Sequence, residues 1–278
     1  MERIVRSALE EDLGRGDITA TAVVPDQTRA QAALISRSSG IIAGLEVAAL
    51  AFRLLDPNVE FKAAIKDGDK VAPDMIFAHV SCKARALLSA ERVALNFLQH
   101  LSGIATATAM IVDAVKPYPV RIVDTRKTTP GLRMLEKYAV RIGGGFNHRM
   151  GLDDAILIKD NHLFLAGGVA RAVEMVRQQI GHLVKIEVEV QDLNQVQEAL
   201  VTGVDVIMLD NMDLETMKKA VIMIGKQAVV EASGKINLSN VAEVAATGVD
   251  IISLGWITHS APSLDISLKA VSQNYDNF

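Results

Sequence analysis

Lys185-Ile-Glu-Val-Glu-Val190 and, a helix length further on, Val206-Ile-Met-Leu-Asp210 decide the fold. Successive side chains of an extended strand point to opposite faces. Glu187 and Glu189 therefore share one face, as do Val206, Met208 and Asp210. The opposite faces, Val188/Val190 and Ile207/Leu209, are wholly apolar and suit packing under helices. Ala155-Ile-Leu-Ile-Lys159 repeats the pattern, with Leu157 and Lys159 on one face and Ile156 and Ile158 on the other. The charged faces then point inward, where a charge is costly unless it is paired, bound to metal or used.

Working outward, short apolar runs recur at Val120–Asp124, Val140–Gly143, Ala155–Lys159, Lys185–Val190, Val206–Asp210, Ala228–Ala232 and Ile251–Leu254. The stretches Val169–Gln179, Leu193–Val201, Leu214–Ile224 and Val241–Ala246 between them carry helical patterns. Apolar strands alternating with helices predict parallel βαβ units. Seven such runs predict a compact barrel, with an open doubly wound sheet as the other architecture. Before Val120 the rhythm is different. Helices are expected at Glu2–Leu13, Leu45–Leu55 and about Arg85–Val115, with Gly103 a candidate bend. Strands are expected at Arg29–Arg37, Asn58–Lys66 and Met75–Cys82, and Asp67-Gly-Asp69 is a turn signal. The expected class is α/β: an N-terminal α/β sandwich over residues 1–106 and a barrel over 107–264, with segment 265–278 packing on the first domain.

Composition excludes several classes. The chain has 278 residues, half of them hydrophobic, with a formal net charge of -4. That length suits one large or two modest domains with a real core. A single cysteine, Cys82, excludes an intrachain disulfide and a Cys-based zinc site, and suits a reducing, cytoplasmic setting. The richest apolar stretch, Ile41–Phe52, contains Glu46 and is shorter than the ~20 residues of a spanning helix, so no membrane role is expected. Mild acidity with 4% aromatic residues argues against a nucleic-acid binder.

The polar residues cluster after the apolar runs. Thr125, Arg126, Lys127 and Thr128 follow the first; Gly143-Gly-Gly145, Asn147, His148 and Arg149 follow the second; Lys159-Asp-Asn161 ends the third. Asp210-Asn211, Ser233-Gly234 and Gly255 end later ones. In a β/α barrel the active site lies at the C-terminal strand ends, so these residues converge on one mouth. Charge is also sorted. Arg121 to His162 holds eight Lys/Arg against five Asp/Glu, whereas Lys185 to Glu215 holds one Lys against eight Asp/Glu. A ring with one cationic and one acidic side suits an anionic substrate plus a polyphosphate carrying a divalent cation. Glu189 and Asp210 are hard oxygen donors suited to Mg²⁺. Structural readings stand beside these: Lys159 and Glu189 as a barrel ion pair, His148 as a turn histidine, and Gly143-Gly-Gly145 as a turn or a phosphate contact.

At these residues the chain resembles the quinolinate phosphoribosyltransferase family. The resemblance spans nearly the whole chain. It is carried by Glu11-Asp-Leu-Gly-Arg-Gly-Asp-Ile-Thr19, Glu91-Arg-Val-Ala-Leu-Asn96, Leu101-Ser-Gly-Ile-Ala-Thr106, Asp124-Thr-Arg-Lys-Thr-Thr-Pro-Gly131, Asn147-His-Arg149, Ile158-Lys-Asp-Asn-His162, Glu187-Val-Glu189, Leu209-Asp-Asn211, Glu231-Ala-Ser-Gly234 and Ser253-Leu-Gly255.

The resemblance implies an N-terminal α/β sandwich and an incomplete seven-stranded barrel. It implies transfer of phosphoribosyl from phosphoribosyl pyrophosphate to quinolinate, with decarboxylation to nicotinate mononucleotide. It implies a homodimer or hexamer in which Arg92 of one subunit reaches the substrate of the other. Arg126, His148 and Arg149 would then hold the dicarboxylate, and Lys127 and Lys159 would lie between the two substrates. Glu189 and Asp210 would bind Mg²⁺ and ribose hydroxyls. Ser233, Gly234, Gly255 and His259 would cradle the 5′-phosphate. Many relatives have a second glycine after Ser-Gly, where this chain has Lys235. Two alternatives stand beside this reading: a molybdenum-associated paralogue acting on a related aromatic acid, and a class I aldolase using Lys159 as its Schiff-base lysine.

Overall fold

Val5 and Leu9, one helical turn apart, are the buried positions of the first helix, and Gly14 ends it with φ 50. The computed structural model describes residues 1–271. In chain order its first elements are α1 (Glu2–Leu13), α2 (Ile18–Val23), β1 (Arg29–Ser36), β2 (Gly40–Ile41), α3 (Leu45–Leu55), β3 (Glu60–Ala63), β4 (Lys70–Val71), β5 (Ile76–Lys83) and α4 (Ala84–Ala114). Then come β6 (Arg121–Val123), α5 (Arg133–Ile142), β7 (Ile156–Ile158), α6 (Asp160–Ala166), α7 (Val169–Arg177), β8 (Ile186–Val190) and α8 (Leu193–Thr202). Last are β9 (Val206–Asp210), α9 (Leu214–Ile224), β10 (Val229–Ser233), α10 (Val241–Ala245), β11 (Ile251–Ser253), α11 (Trp256–His259) and β12 (Ile266–Val271).

The chain divides into two units. The first comprises residues 1–109, 129–144 and 260 onward; the second comprises 110–128 and 145–259. In the first, an antiparallel sheet runs β12-β1-β5-β3. β12 pairs with β1 from Gln31↔Val271 to Ser36↔Ile266, so the chain's end returns to the N-terminal sheet. The remainder of the expected packing segment, residues 272–278, lies outside the described residues. Central β1 is buried from Ala32 to Ser36 on both faces, which is why it reads as an apolar run without alternation. Cys82 on β5 is fully buried, and burial pushes its thiol up to about 11.

The 31-residue α4 is the apolar spine of this unit. Among the described residues it is the one helix long and apolar enough to cross a bilayer. Yet 61% of its apolar window is buried against protein, as in a core helix. Ser102 and Thr106 accept the backbone N–H groups of Ala43 (3.0 Å) and Ile41 (2.9 Å). Gly103 lies within one continuous helix. Its role is close approach: a Cβ there would stand 2.2 Å from the Pro262 carbonyl oxygen.

Val140–Gly143 is not the expected strand. It forms the last turn of α5 and its cap. Leu135, Ala139 and Val140 bury one helical face, and α5 also buries Glu136, whose carboxylate meets His100 Nε2 (2.8 Å) and the Thr129 N–H (3.0 Å). Helical spacing of apolar and satisfied polar groups overrode the short β-like run. Gly143 is needed because a Cβ would lie 2.4 Å from the Ala105 carbonyl oxygen, so this glycine serves packing.

The second unit holds a parallel sheet in the order β6-β11-β10-β9-β8-β7. Phe146 bridges Val123 on the outer side of β6, taking the position that Val140–Gly143 was expected to fill. Six strands plus this bridge account for the seven positions, and β7 is the other edge. Helices α7 and α8 pack side by side on its outside, as do α8 and α9. An apolar cavity of about 340 Å³, walled by β7, α6 and α7, opens beside Arg149.

Gly103→Val should lower unfolding free energy by about 1–3 kcal/mol through overpacking against the Pro262 backbone. Urea unfolding with an unchanged midpoint would contradict that account of Gly103.

Candidate active site

Inside the barrel, three titratable groups meet. His148 Nε2 lies 3.1 Å from Glu187 Oε2 and 3.6 Å from Glu231 Oε1. Glu187 is on β8 and Glu231 on β10, with β9 between them. A flat sheet cannot bring these residues to one histidine from beyond its opposite edge, so the sheet curls into a barrel. Both glutamates are at least nine-tenths buried. Burial, reinforced by Glu187, pushes the Glu231 carboxyl up to about 7, while His148 and the Ser253 hydroxyl oppose the shift. The other ring nitrogen, His148 Nδ1, accepts the Arg149 backbone N–H at 2.8 Å. Fully buried Asp124, just past β6, accepts from Asn147 Nδ2 (2.6 Å) and the His148 N–H (2.9 Å). The Asn147–Arg149 segment is thus held from both sides.

Above this core the cationic groups gather. The Arg149 guanidinium donates to the Ala155 carbonyl at 2.9 Å. Burial and then the nearby Arg126 weaken its hold on its proton, while Glu187 and Asp154 act the other way. A guanidinium stays charged regardless. Arg126 and Arg149 are thus near enough to repel each other, with Glu187 and Asp154 offsetting part of that charge. Lys127 comes close to Gly255 and His259: a Cβ on Gly255 would stand 2.9 Å from Lys127 Cδ and 3.4 Å from His259 Nε2. The Thr258 hydroxyl is within 2.8 Å of both the Lys127 and Gly255 carbonyls and ties the two loops.

The acidic side follows on β8 and β9. Glu189 is 8% exposed and binds Lys159 Nζ at 2.8 Å. Lys159 is also the N-cap residue of α6, which fixes its backbone. Glu189 and Asp160 form part of the wall of a cleft of about 450 Å³. Asp210 ends the adjacent strand, level with Ser233 on β10. Next to it Asn211 adopts φ 54, and its N–H donates to the Ser233 carbonyl at 3.0 Å. Gly234 has φ 126, and a Cβ there would lie 2.5 Å from Asn211 Oδ1. Only glycine fits that backbone and that approach. Trp256 Nε1 donates to the Ile236 carbonyl (3.1 Å), linking the loops after β10 and β11.

The second unit therefore brings the expected residues into neighbouring groups: Arg126 with Arg149, Lys127 with Gly255 and His259, Lys159 with Glu189, and Asp210 with Ser233 and Gly234. His148 lies next to Arg149, its Nε2 turned to Glu187 and Glu231 and its Nδ1 to the Arg149 backbone N–H. Arg92 is exposed on α4 in the first unit. Lys235 is exposed, and its carbonyl accepts from Asn240. Sequence reasoning left Asp124, Glu231 and Thr258 without roles. Glu231 had a legible signal, a carboxylate in mid-strand on the inward face of Val229–Ser233. Asp124 and Thr258 had none, since their partners are set by loop geometry.

A barrel whose strand ends set arginines and lysines beside carboxylates and glycine turns has the charge layout of an enzyme for phosphorylated, anionic small molecules. Residues 104–269 match the C-terminal domain of quinolinate phosphoribosyl transferase, and residues 17–102 match its N-terminal domain. A probable nicotinate-nucleotide pyrophosphorylase (carboxylating) of a Synechocystis species is 48% identical over 95% of this chain and 90% of its own. Its Bacillus subtilis counterpart is 44% identical over 99% and 94%. The crystal structure of NadC from Streptococcus pyogenes superposes with a TM-score of 0.93 at 41% identity, covering 98% of this chain and 97% of that one. The chain belongs to the quinolinate phosphoribosyltransferase family.

Glu231 binds its proton more tightly in the folded chain than in the unfolded one. The native state then holds more protons between the ordinary carboxylate range and neutrality, so stability falls as pH rises through that window. Facing groups are Glu187 from β8, His148 from the loop and Ser253 from β11. Glu231→Gln should flatten the decline in urea midpoint from pH about 5 to about 7; parallel profiles for the two proteins would contradict it.

Proposed function

We propose that the protein acts as a quinolinate phosphoribosyltransferase; the match of both of its domains to that family carries the reading, and Arg126 and Arg149, near enough to repel each other, are the groups we assign to the diacid. The pyridine nitrogen of quinolinate attacks C1 of phosphoribosyl pyrophosphate. The C1–oxygen bond breaks and pyrophosphate leaves with the electron pair. The ring, now cationic at nitrogen, loses its neighbouring carboxylate as CO2. The electrons left at C2 are stabilised by the adjacent N⁺ and taken up by a proton, giving nicotinate mononucleotide.

Each charged group matches a charge in this reaction. Arginine forks grip and orient adjacent carboxylates with a bidentate geometry that lysine lacks. Lys127 and Lys159 face the departing pyrophosphate, and Glu189 and Asp210 tolerate the oxocarbenium-like sugar. Ser233, Gly234, Gly255 and His259 receive the 5′-phosphate. His148 serves as a strut below Arg149. Glu189 and Asp210 are oxygen donors on adjacent strands, a set that fits Mg²⁺. When bound there, Mg²⁺ would neutralise pyrophosphate charge. The Schiff-base alternative wants an uncharged amine in apolar surroundings; Lys159 is instead half-exposed and paired with Glu189. We assign the exposed Arg92 to the site of a second subunit in a homodimer or hexamer, and the protein to the cytoplasm, where its single thiol stays reduced.

Incubation with phosphoribosyl pyrophosphate, Mg²⁺ and a panel of aromatic carboxylates should yield a mononucleotide from quinolinate, with pyrophosphate and CO2. A product from another acid alone would overturn the substrate assignment. Arg126→Ala should weaken quinolinate by roughly 2–5 kcal/mol, seen as a raised KM. Arg92→Ala should be inactive alone, and subunit exchange with Arg126→Ala should restore part of the activity. No restoration after verified exchange would argue against a shared site.

A further inference from the structure

The Glu187–Glu231–His148 cluster supplies no group to the bonds made and broken in phosphoribosyl transfer, and only His148 has a supporting place there. Its three ligand-type atoms lie within 4.8 Å of one another, a spacing that a metal ion could also satisfy. The tautomer of His148 speaks against the metal. A backbone N–H only donates, so Nδ1, which receives the Arg149 N–H at 2.8 Å, carries no proton. The imidazole's proton is then on Nε2, facing Glu187 at 3.1 Å. A metal on Nε2 would require an imidazolate. The arrangement is that of a hydrogen-bond chain.

The chain is short and directed. Glu187 Oε1 and Glu231 Oε1 are buried and make no hydrogen bond as two ionised carboxylates. Glu231 Oε1 stands 3.6 Å from His148 Nε2, the same nitrogen that meets Glu187 Oε2 at 3.1 Å, so both carboxyls hold one face of the imidazole. Glu187 accepts from His148 Nε2, and His148 Nδ1 fixes the Arg149 backbone. Asp124 anchors the preceding Asn147 and His148. The guanidinium at the far end stands next to Arg126.

We infer that Glu231 is a positioning residue: through Glu187 and His148 it fixes the backbone of Arg149, so a carboxyl group in the barrel interior sets affinity for the aromatic diacid at the mouth. The inference rests on Arg149 being a substrate ligand. It predicts a specific kinetic signature. Misaiming one arginine weakens the group it grips and leaves the other substrate's subsites alone.

The test is a double-mutant cycle in the full-length enzyme, with folding of each variant checked by thermal melting. Glu231→Leu should raise the KM for quinolinate about tenfold to a hundredfold, with kcat and the KM for phosphoribosyl pyrophosphate within about threefold of wild type. Glu231→Gln, which keeps shape and hydrogen bonding, should retain most of the affinity. Arg149→Ala should raise the quinolinate KM, and adding Glu231→Leu to it should cost little more, because both changes remove one interaction. His148→Phe, which keeps the ring and removes its nitrogens, should show the same coupling and serves if Glu231→Leu does not fold. Additive effects, or a folded Glu231→Leu or His148→Phe enzyme with unchanged quinolinate KM, would overturn the inference. An unchanged KM in Arg149→Ala would instead overturn the substrate assignment on which it rests.

Discussion

Two glutamates and a histidine from three separate segments meet inside the barrel, and the mouth above them depends on how that buried charge is accommodated. Isolated carboxylates in such surroundings are strongly disfavoured. Here one carboxyl is pushed toward holding its proton and the other takes the imidazole N–H. The result ties β8, β10 and the loop after Phe146 together across the interior. That tie matters because the bridge opposite β6 is a single residue, Phe146, and supplies little backbone pairing of its own. Polar pairing thus does on the inside what a full strand would do in the wall.

The same solution repeats outward. Asp124 is buried and holds Asn147 and His148; Glu189 is buried and holds Lys159; Glu136 in the first unit is buried and holds His100. Arg126 and Lys127 follow Asp124, and Arg149 follows His148. The two arginines crowd each other, and Glu187 and Asp154 offset part of their charge. Glycines 234 and 255 stand where a Cβ would collide with Asn211 and Lys127, so the loops after β10 and β11 pack closely against their neighbours.

Much of this was legible from period-two alternation. Lys185–Val190 and Val206–Asp210 read as strands with charged inner faces, and both are. A helix near Leu45–Leu55 and one at Leu214–Ile224 were legible, and both are there. Val140–Gly143 was not legible as a helix, because a short apolar run at the end of an amphipathic helix looks like a strand until its upstream partners Leu135 and Glu136 are counted. Residues 18–23 and 160–166 form short helices set by N-terminal positions that gave no periodicity to read. For the site, residue types at strand ends pointed to one mouth. The inward turn of His148 was not legible, since it is fixed by which ring nitrogen meets the Arg149 N–H.

The central claim is that two arginines grip two carboxylates of one aromatic ring. Calorimetric titration with quinolinate and with nicotinate, which lacks the second carboxylate, addresses it directly. The account predicts quinolinate binding about a hundredfold tighter or more, because a built polar site left half-filled strongly rejects the smaller ligand. Equal affinities for the two acids would contradict it.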